Sequence, residues 1–537
     1  MRYLSLFIIV VAVVAMAGQA VALNEKDDLK AKFLYGKALL QSADYKQSRE
    51  IFKEIIAREP DNAEAKELLA DSYAYDKEFK RAIELYNEAL AQRYDRVTKR
   101  KLADVLSWDK KYNQALKMYD ELLKEEEDDK IWLQKARVLG WARRYPESLK
   151  EYESLVARST DPNIKLEMEA KRAYWNDEVE VAISQYSELI KKSAENVEAM
   201  FDLAQIYSYQ TMWKEAQGEY HRILDLEPGH FRARDGLAKA ELIAHHLSWE
   251  PGYEFFQSDS QSRDNDIRKH TIFNKFSYPV NNNIRMDGWY NFTARSFADF
   301  PDVVENEGRI GVAYMFNPKL WVDGYYDMIA YNRDISAMHL FGGSAHYRII
   351  DAVIGSFWYK RERLENTSTV IRDHYFSDDF KERLDVSIDK RLKLGVDFLY
   401  SSISDNNQRW EPGFDILYYL SLDPMRLAVQ YRYFYKQYEQ TVPEYWSPKG
   451  FMTNAVGFNW RHYLNKEEIF FGADDLYYEA GYMFSVDSTD ICGHQFTGGI
   501  HWDINKRLAL DTQGGFSLSS NDVYRDMYAR VSLKYYY

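Results

Sequence analysis

The sequence predicts a two-domain α + β protein, in which an N-terminal α-solenoid of helical repeats precedes a C-terminal antiparallel transmembrane β-barrel of about 16 strands. Three observations predict this class. Small and aromatic residues recur about every 34 positions in the first half, apolar and polar residues alternate through the second half, and the chain ends on a strand-like segment whose last residue is Tyr537. The first pattern has the period of stacked helical hairpins, and the other two have the period of strands.

The first 22 residues predict a secretory signal peptide. Arg2 precedes an apolar run from Leu4 to Met16, and the small residues of Ala20-Val21-Ala22 offer a cleavage site. The apolar run is too short to span a bilayer comfortably. We therefore expect an exported chain whose mature form begins near Leu23.

Residues 23–247 predict a domain of tetratricopeptide repeats. In six successive units a small residue is followed four positions later by an aromatic residue, and another small residue stands twelve positions earlier. The small-aromatic pairs are Ser48 and Phe52, Ala82 and Tyr86, Ala115 and Tyr119, Ser148 and Tyr152, Ala182 and Tyr186, and Ala216 and Tyr220; the earlier small residues are Gly36, Ala70, Ala103, Ala136, Ala170 and Ala204. This spacing predicts about six repeats from Leu29 to Glu227 and a closing helix from Phe231 to His246. In an exported chain such a domain would lie in the periplasm and hold protein partners.

Residues 248–537 predict the barrel. In Arg426–Tyr433 the residues Leu427, Val429, Tyr431 and Tyr433 face one way and the polar residues face the other. Short polar turns recur at Asn281-Asn282-Asn283, Asn317-Pro318, Asp351, Asp389-Lys390, Asp423-Pro424, Asn465-Lys466 and Asn505-Lys506. Longer polar segments lie between them at 260–267, 297–308, 363–379 and 437–450. Seven short turns predict eight hairpins, and an even strand number suits a single-chain outer-membrane barrel.

The C-terminal segment predicts the strand that closes the barrel. Leu533, Tyr535 and Tyr537 alternate with Ser532 and Lys534, so the aromatic side chains share a face with apolar ones. A lipid-facing strand with interfacial aromatics is what a closed transmembrane barrel needs. The terminal aromatic also resembles the signal by which the bacterial barrel-assembly machinery recognises its clients, and we expect Leu533, Tyr535 and Tyr537 to carry it.

The polar face of the predicted strands gives candidate lumen residues that could contact a transported substrate. They are Glu250, Glu254, Asp287, Trp289, Trp321, Asp323, Tyr325, Asp327, Arg426 and Arg432. Among the inward positions identified from sequence, carboxylates outnumber cations. Aromatic rings beside hydrogen-bonding acids suit sugar rings and could guide a polysaccharide, whereas polar residues also simply wet a porin lumen; both interpretations stay open.

Composition and residue spacing argue against several classes of function. The net charge of −14 argues against nucleic acid as a partner. Cys492 is the single cysteine, so neither an intramolecular disulfide nor a cysteine-based metal site is expected. The histidines lack the spacing of metal ligands, and no phosphate-binding glycine loop or nucleophile motif stands out. We expect a protein that is not an enzyme and that needs no cofactor or metal.

The order of signal peptide, tetratricopeptide repeats and C-terminal barrel resembles the outer-membrane export porins for exopolysaccharides such as cellulose, poly-N-acetylglucosamine and Pel. The resemblance implies an outer-membrane location, contact with membrane lipid, assembly by the barrel-assembly machinery, periplasmic protein partners for the repeats and a polysaccharide chain in the barrel. About six repeats are fewer than in the large cellulose and Pel members. The barrel is also similar to YaiO-type outer-membrane barrels. Surface-lipoprotein assembly modifiers, which combine such repeats with fourteen strands and translocate proteins, and general porins are the alternatives.

Overall fold

The structure is a computed structural model that describes residues 25–537 except 177, 261–265, 299, 333–334, 365–366, 423, 466–474 and 521–522. The predicted signal peptide, 1–22, lies outside the described residues. The chain divides into two compact units, a helical one and one that contains all the strands. Each is described by itself below.

The helical part of the chain, most of which forms the first unit, contains six helical hairpins followed by one further helix. The helices are α1 Glu25–Gln41, α2 Tyr45–Arg58, α3 Ala63–Tyr75, α4 Phe79–Gln92, α5 Arg96–Trp108, α6 Tyr112–Glu125, α7 Asp129–Trp141, α8 Tyr145–Arg158, α9 Pro162–Trp175, α10 Val179–Lys192, α11 Val197–Tyr209, α12 Trp213–Leu226 and α13 Phe231–His245. The predicted α-solenoid is confirmed. None of the described helices is long and apolar enough to cross a membrane.

Side-chain caps explain where several helices begin. Asp44, Asn62 and Asp95 precede α2, α3 and α5, and each side chain accepts a hydrogen bond from the backbone N–H three residues later. These bonds satisfy N–H groups that the first helical turn cannot satisfy by itself. Pro162 stands at the start of α9, where a missing N–H costs nothing.

The periodic residues form the core of the helical unit. The six aromatics of the repeat pattern are at most 1% exposed, and the six small residues that precede them are fully buried. The Ser48 hydroxyl donates to the Gly36 carbonyl at 3.0 Å, and the Ser148 hydroxyl donates to the Ala136 carbonyl at 2.6 Å. Helix pairs therefore cross where both carry a small residue, and serine is tolerated there because its hydroxyl has a backbone partner.

The buried tyrosines of the repeats also require acids, which the spacing did not predict. The phenol of Tyr119 donates to Asp104 at 2.6 Å, and the phenols of Tyr86, Tyr152 and Tyr186 donate to Asp71, Glu167 and Asp202. A buried phenol without a partner would lose stability, so an acid from a neighbouring helix enters the core of these four repeats.

The second unit is a closed antiparallel barrel of 16 strands, as predicted, and each strand pairs with its sequence neighbours. The strands are β1 Ser248–Ser260, β2 Ile267–Pro279, β3 Ile284–Phe297, β4 Val303–Asn317, β5 Leu320–Tyr331, β6 Met338–Ile350, β7 Val353–Arg363, β8 Phe376–Ser387, β9 Leu392–Ile403, β10 Gln408–Ser421, β11 Met425–Tyr438, β12 Phe451–Asn465, β13 Leu476–Asp487, β14 Cys492–Asn505, β15 Leu508–Ser519 and β16 Tyr524–Tyr536. Pairing of β1 with β16, including Trp249 opposite Tyr535, closes the sheet.

Asparagine and aspartate side chains build the short turns. Asn281, Asn317 and Asp389 each accept hydrogen bonds from backbone N–H groups two and three residues ahead. Five even-numbered strands carry a register shift just before their turn: β4, β6, β10, β12 and β14. This end of the barrel is called the turn side, and the opposite end the loop side.

Two predicted connections differ from the structure. The predicted turn at Asn465-Lys466 is a ten-residue connection, because β12 ends at Asn465 and β13 begins at Leu476; Lys466 lies outside the described residues, as does Asp423 of another predicted turn. The predicted loop 297–308 is shorter, since β4 begins at Val303. The polarity of Asn306 and Glu307 predicted a loop. Both residues instead lie in β4, pair with β3 and face opposite sides of the sheet.

On the loop side, two long connections pack against each other. The connection after β7 contains the short helix α14 Ser368–Asp373, which the sequence did not predict. Its Val370 packs in a cluster with Tyr445 of the β11–β12 connection and with Ile403 and Tyr438 at strand ends. The Tyr445 hydroxyl also donates to Asp405 at 2.8 Å. These contacts fix both connections over neighbouring strand ends.

The outer surface of the barrel is apolar, and hydrogen bonds between a tyrosine and a polar side chain recur on it. Large exposed hydrophobic side chains alternate along the strands, among them Ile310 at 68% and Val396 at 58% exposure. In six hairpins the hydroxyl of a tyrosine on the odd-numbered strand is hydrogen-bonded to a polar side chain on the next strand. The pairs are Tyr253 with His270, Tyr290 with Asn306, Tyr326 with His339, Tyr359 with Asp378, Tyr431 with Asn454, and Tyr482 with His494. An apolar belt bounded by amphipathic aromatics is how a barrel meets a bilayer.

Candidate functional site: the inner face of the barrel

Strand pleating gives the barrel two faces, and long-range ion pairs identify the inner one. Arg383 of β8 reaches Asp415 of β10 at 2.9 Å, and Arg409 of β10 reaches Asp379 of β8 at 3.1 Å. Each pair passes over at least one intervening strand. Side chains of non-adjacent strands converge only on the concave side of a closed sheet, while the apolar set occupies the other face.

All ten predicted lumen residues lie on this inner face. Glu250 and Glu254 of β1 pair with Arg530 and Lys269 on the adjacent strands, both at 3.1 Å. Arg432 stands opposite Asp415 in the β10–β11 register. Six of the other seven lie in two aromatic groups and one cavity, and the seventh, Asp287, pairs with a residue of its own strand.

The first group surrounds Arg309, which the sequence analysis did not single out. Its guanidinium lies 4.4 Å from the ring centre of Trp289 and 4.2 Å from that of Tyr325, and it pairs with Asp327 at 2.7 Å. Lys275 lies 5.2 Å from the same Trp289 ring. The two predicted ring platforms are therefore already in contact with cations. Arg309 occupies an inward position of β4, so the alternation of residues along this strand could have identified it from the sequence.

The second group surrounds Trp321 and His346. The two rings stack at 5.1 Å with an interplanar angle of 14°. The His346 ring nitrogens meet the hydroxyls of Ser344 and Ser356, each at 2.8 Å, and the Ser344 hydroxyl also donates to Asp323. Trp321 is thus held in place by a hydrogen-bonded histidine, and Asp323 has a partner from the next strand.

Arg426 lies in a cavity of about 360 Å³ on the inner wall from β10 to β16. Tyr419, Arg461, Glu479 and Tyr528 also line it. Arg426 stands opposite Arg461 in the register, and Arg461 pairs with Glu479 at 2.7 Å. The remaining predicted acid, Asp287, pairs with Arg285 of its own strand at 3.1 Å.

The inner face is not predominantly acidic, which corrects the expectation from the sequence. Strand parity brings many cations inward that the sequence analysis left out: Lys269, Lys275, Arg309, Arg348, Lys360, Lys381, Arg383, Lys393, Arg409, Lys436, Arg461 and Lys534. With them, inward cations and carboxylates of the described strands are nearly equal in number. Arg383 alone contacts three acids, Asp385, Asp397 and Asp415.

The predicted closing residues occupy the outer face. Leu533 is 42% exposed and Tyr537 51% exposed, and the rings of Tyr535 and Tyr537 meet edge to face at 5.1 Å. The backbone N–H of Tyr537 donates to the Leu247 carbonyl at 3.0 Å. The last residues thus continue the pairing that joins the two ends of the sheet.

In the helical unit, the chain itself covers an aromatic surface. Tyr75, Trp108 and Trp141 are the last residues of α3, α5 and α7. Phe231, at the start of α13, lies 5.6 Å from the Trp108 ring, and the Arg232 guanidinium lies 4.5 Å from the Trp141 ring. Arg234 donates to the Tyr75 carbonyl at 2.9 Å. Residues 231–234 therefore occupy the surface that the ends of these helices form.

Comparisons with known proteins bear on each half. The tetratricopeptide repeat family model matches residues 16–95. No curated protein matches the chain. A solved structure described as a bacterial polysaccharide outer membrane secretin is similar, at 14% identity and a TM-score of 0.44, over 55% of this chain and 99% of that one. Pseudomonas aeruginosa OccK7 (OpdD) is similar at 9% identity and a TM-score of 0.32, over 54% and 98% of the two chains. Pseudomonas aeruginosa pilF is similar at 19% identity and a TM-score of 0.27, over 40% and 98%.

Proposed function

We propose that this protein is an outer-membrane channel that exports an exopolysaccharide, with residues 1–22 as signal peptide, 23–247 as a periplasmic scaffold domain and 248–537 as the channel. The observation that carries the proposal is the inner face of the barrel, where ring systems and ionic side chains line a wall behind an apolar outer belt. Such a wall offers a hydrated polymer many weak contacts. We expect it to act by binding and passage, without catalysis.

The chemistry of the inner face supports a glycan substrate. Hydroxyl groups of a sugar chain can accept from guanidinium groups and donate to carboxylates, so ion-paired walls supply partners along the whole path. Trp289, Trp321 and Tyr325 add apolar ring edges and faces that match the C–H surfaces of sugar rings. Each contact is weak, which lets a threading chain leave one contact for the next.

The strand number favours this proposal over its nearest alternative. Surface-lipoprotein assembly modifiers resemble this chain in domain order but are expected to have fourteen strands, whereas this barrel has 16. A folded or unfolded protein would also present apolar side chains to a wall that carries charged residues on every side. Protein translocation is therefore the less favoured alternative, and the experiment described below distinguishes it from polysaccharide export.

The repeat domain is proposed to recruit periplasmic protein partners and the barrel to fold through the barrel-assembly machinery. Stacked repeats bind partners through their extended surfaces. Because residues 231–234 already cover the ends of α3, α5 and α7, we expect partners to bind elsewhere on the repeats. Leu533, Tyr535 and Tyr537 are the proposed assembly signal.

The test is export of surface polysaccharide in a strain whose chromosomal copy is replaced. A Trp289→Ala/Trp321→Ala variant should lower surface polysaccharide several-fold at an unchanged amount of folded barrel, because it removes two ring contacts from the path. Trp502→Ala is the matched control: Trp502 is 45% exposed on the outer face, and its loss should leave export per folded barrel unchanged.

A strain that lacks the protein separates the alternatives. Loss of surface polysaccharide supports the proposal. Normal surface polysaccharide together with loss of a surface lipoprotein would replace it with protein translocation. Normal levels of both, with a reduced uptake of small solutes, would leave a general porin.

A further inference from the structure

Most inward acids of the barrel already hold a cation. The pairs Arg309 with Asp327, Arg461 with Glu479, and Arg383 with Asp415 are 2.7 to 2.9 Å long. Others are somewhat longer and include Arg530 with Glu250, Lys269 with Glu254, Arg409 with Asp379 and Lys436 with Glu411. A charged solute that enters must compete with these resident partners for every contact of opposite sign.

The inward charges are also grouped by strand. The inward positions of β11 and β12 carry four cations and no carboxylate; they are Arg426, Arg432, Lys436 and Arg461. The inward positions of β13 to β15 carry carboxylates and neither lysine nor arginine; the carboxylates are Glu479, Asp487, Asp503 and Asp511. We name these groups the second cationic stripe and the second acidic stripe.

The same order occurs on the other side of the barrel. The first cationic stripe comprises β2 and β3, with Lys269, Lys275, Arg285 and Arg295 against the single acid Asp287. The first acidic stripe comprises β4 and β5, with Glu305, Glu307, Asp323 and Asp327 against the single cation Arg309. In the closed strand order the two cationic stripes are about half the circumference apart, and so are the two acidic ones.

We infer that the polymer carried through this barrel is a glycan without net charge. This inference rests on the proposed export function and specifies its substrate. A polycation attracted to one stripe meets a stripe of its own sign beside it, and a polyanion meets the same arrangement with signs exchanged. At physiological ionic strength the Debye length is about 8 Å, so the field of each stripe is screened within about two strand spacings and attracts no distant polyion along the lumen. A neutral glycan gains hydrogen bonds from both kinds of stripe.

The first test measures ion selectivity of the full-length protein in planar lipid bilayers under a KCl gradient. A balanced wall predicts a permeability ratio of K⁺ to Cl⁻ between about 0.5 and 2, because little net fixed charge focuses either ion. A ratio above about 10 or below about 0.1 would overturn the inference, since one sign would then dominate the path. If the loop cluster closes the wild-type channel, Tyr445→Ala, which removes a ring from that cluster, is measured in its place.

A bonded pair supplies matched variants for this measurement. Arg461→Gln should move selectivity toward K⁺ and Glu479→Gln toward Cl⁻, while the Arg461→Gln/Glu479→Gln variant should return to the wild-type ratio. Glutamine nearly preserves the size of both side chains, so the double variant controls for changes in pore shape. Identical shifts in both single variants would contradict a role of fixed charge.

The second test compares three oligosaccharides of equal length as blockers of the single-channel current: a neutral β-linked glucan, a chitosan and an oligogalacturonate. The neutral glucan should block at the lowest concentration. Stronger block by the chitosan or the oligogalacturonate would overturn the inference and leave glycan export standing. A conducting channel that none of the three blocks would instead count against the proposed export function itself.

Discussion

The two halves of this chain place their charges differently. In the helical unit Glu167 and Lys171 are 2% and 4% exposed and lie between helices, where Glu167 pairs with Arg137 at 2.7 Å. In the barrel the pairs line the inner wall, and Glu250 and Arg530 keep 24% and 32% of their side chains exposed. A buried charge such as Glu167 in the repeats therefore serves packing, whereas a partly exposed charge such as Glu250 on the barrel wall can be shared with solvent or a substrate.

This difference has an energetic consequence. Breaking a buried ion pair leaves a charge without water or partner and costs several kcal/mol, whereas partly exposed pairs contribute little to stability. The repeat unit should therefore be sensitive to changes at its buried charges, such as Glu167 and Lys171. The partly exposed pairs of the barrel wall, such as Arg530 with Glu250, should tolerate single charge changes and respond in conductance. The stability of the barrel should depend mainly on closure and on the outer face.

The largest effect is expected from the closing strand. Deleting Tyr535–Tyr537 should abolish insertion, because it removes the bond from Tyr537 to Leu247 and the register pair of Tyr535 with Trp249. Heat-modifiable mobility on gels reports the folded barrel. Tyr536→Ala, on the inner face, is the control and should insert normally. Wild-type insertion of the truncated chain would show that the last residues do not close the barrel.

Sequence periodicity predicted the helices and strands of both halves. It predicted only some of the side-chain contacts between them. The repeat spacing identifies a set of small and aromatic residues that are all buried, because each small-aromatic pair lies within one hairpin. The acids that satisfy the tyrosines come from residues fifteen or sixteen positions away and in either direction, as with Asp104 before Tyr119 and Glu167 after Tyr152. Asp104 belongs to the same hairpin as Tyr119, whereas Glu167 belongs to the hairpin that follows Tyr152, so the repeat spacing alone does not identify the acid.

In the barrel, alternation predicted the faces of all ten candidate residues, because a period of two is a local property. The charge balance could not be predicted in the same way. Arg409 reaches Asp379, thirty residues away, across an intervening strand. Helix α14 was missed because six residues are too few to show a helical period.

The next largest effect is expected in the core of the repeats. Glu167→Gln should destabilise the fragment 24–247 by about 3–5 kcal/mol, because Arg137 is left without a charged partner. Thermal unfolding followed by circular dichroism measures this. Glu147→Gln, whose carboxylate pairs with Arg144 on the surface, is the control and should change stability little. A fragment without helical signal would place the domain boundary elsewhere.

The pH dependence of this pair has a definite sign. Burial opposes ionisation of Glu167, but the charges of Arg137 and Lys171 and the hydrogen bonds from Arg137 and Tyr152 together outweigh it and lower the pKa to about 2. A carboxyl whose folded-state pKa lies below its ordinary value of 4.5 stabilises the fold above that value. The difference between wild type and Glu167→Gln should therefore shrink as pH falls from about 4.5 toward 2.

The outer face should be sensitive to charge in proportion to its contact with lipid. Val429→Arg should cost about 2–4 kcal/mol if the side chain lies near the bilayer midplane, while Gln430→Arg on the inner face should cost much less. Val429 is 39% exposed among apolar side chains, and Gln430 accepts from Asn459 at 2.9 Å. Folding titrations into lipid vesicles compare the two. Equal losses would reverse the assignment of faces.

The smallest effect should be a gain in stability in the repeats. Asp104 has a side chain 15% exposed, and its nearest cation, Arg100, is 3.8 Å away. Burial raises the pKa of Asp104 to about 6, whereas the hydrogen bond from Tyr119 and the charge of Arg100 lower it. The ionised carboxylate therefore destabilises the folded state at neutral pH.

Asp104→Asn should stabilise the fragment 24–247 by about 1–2 kcal/mol at pH 7.5, because asparagine keeps the acceptor for the Tyr119 phenol and removes the buried charge. The gain should fall as pH drops below about 6 and vanish near 3.8, where the wild-type carboxyl is protonated in both folded and unfolded chains. Asp120→Asn, whose side chain is 49% exposed, is the control. A variant less stable than wild type at pH 7.5 would mean that the charge at Asp104 is compensated within the core.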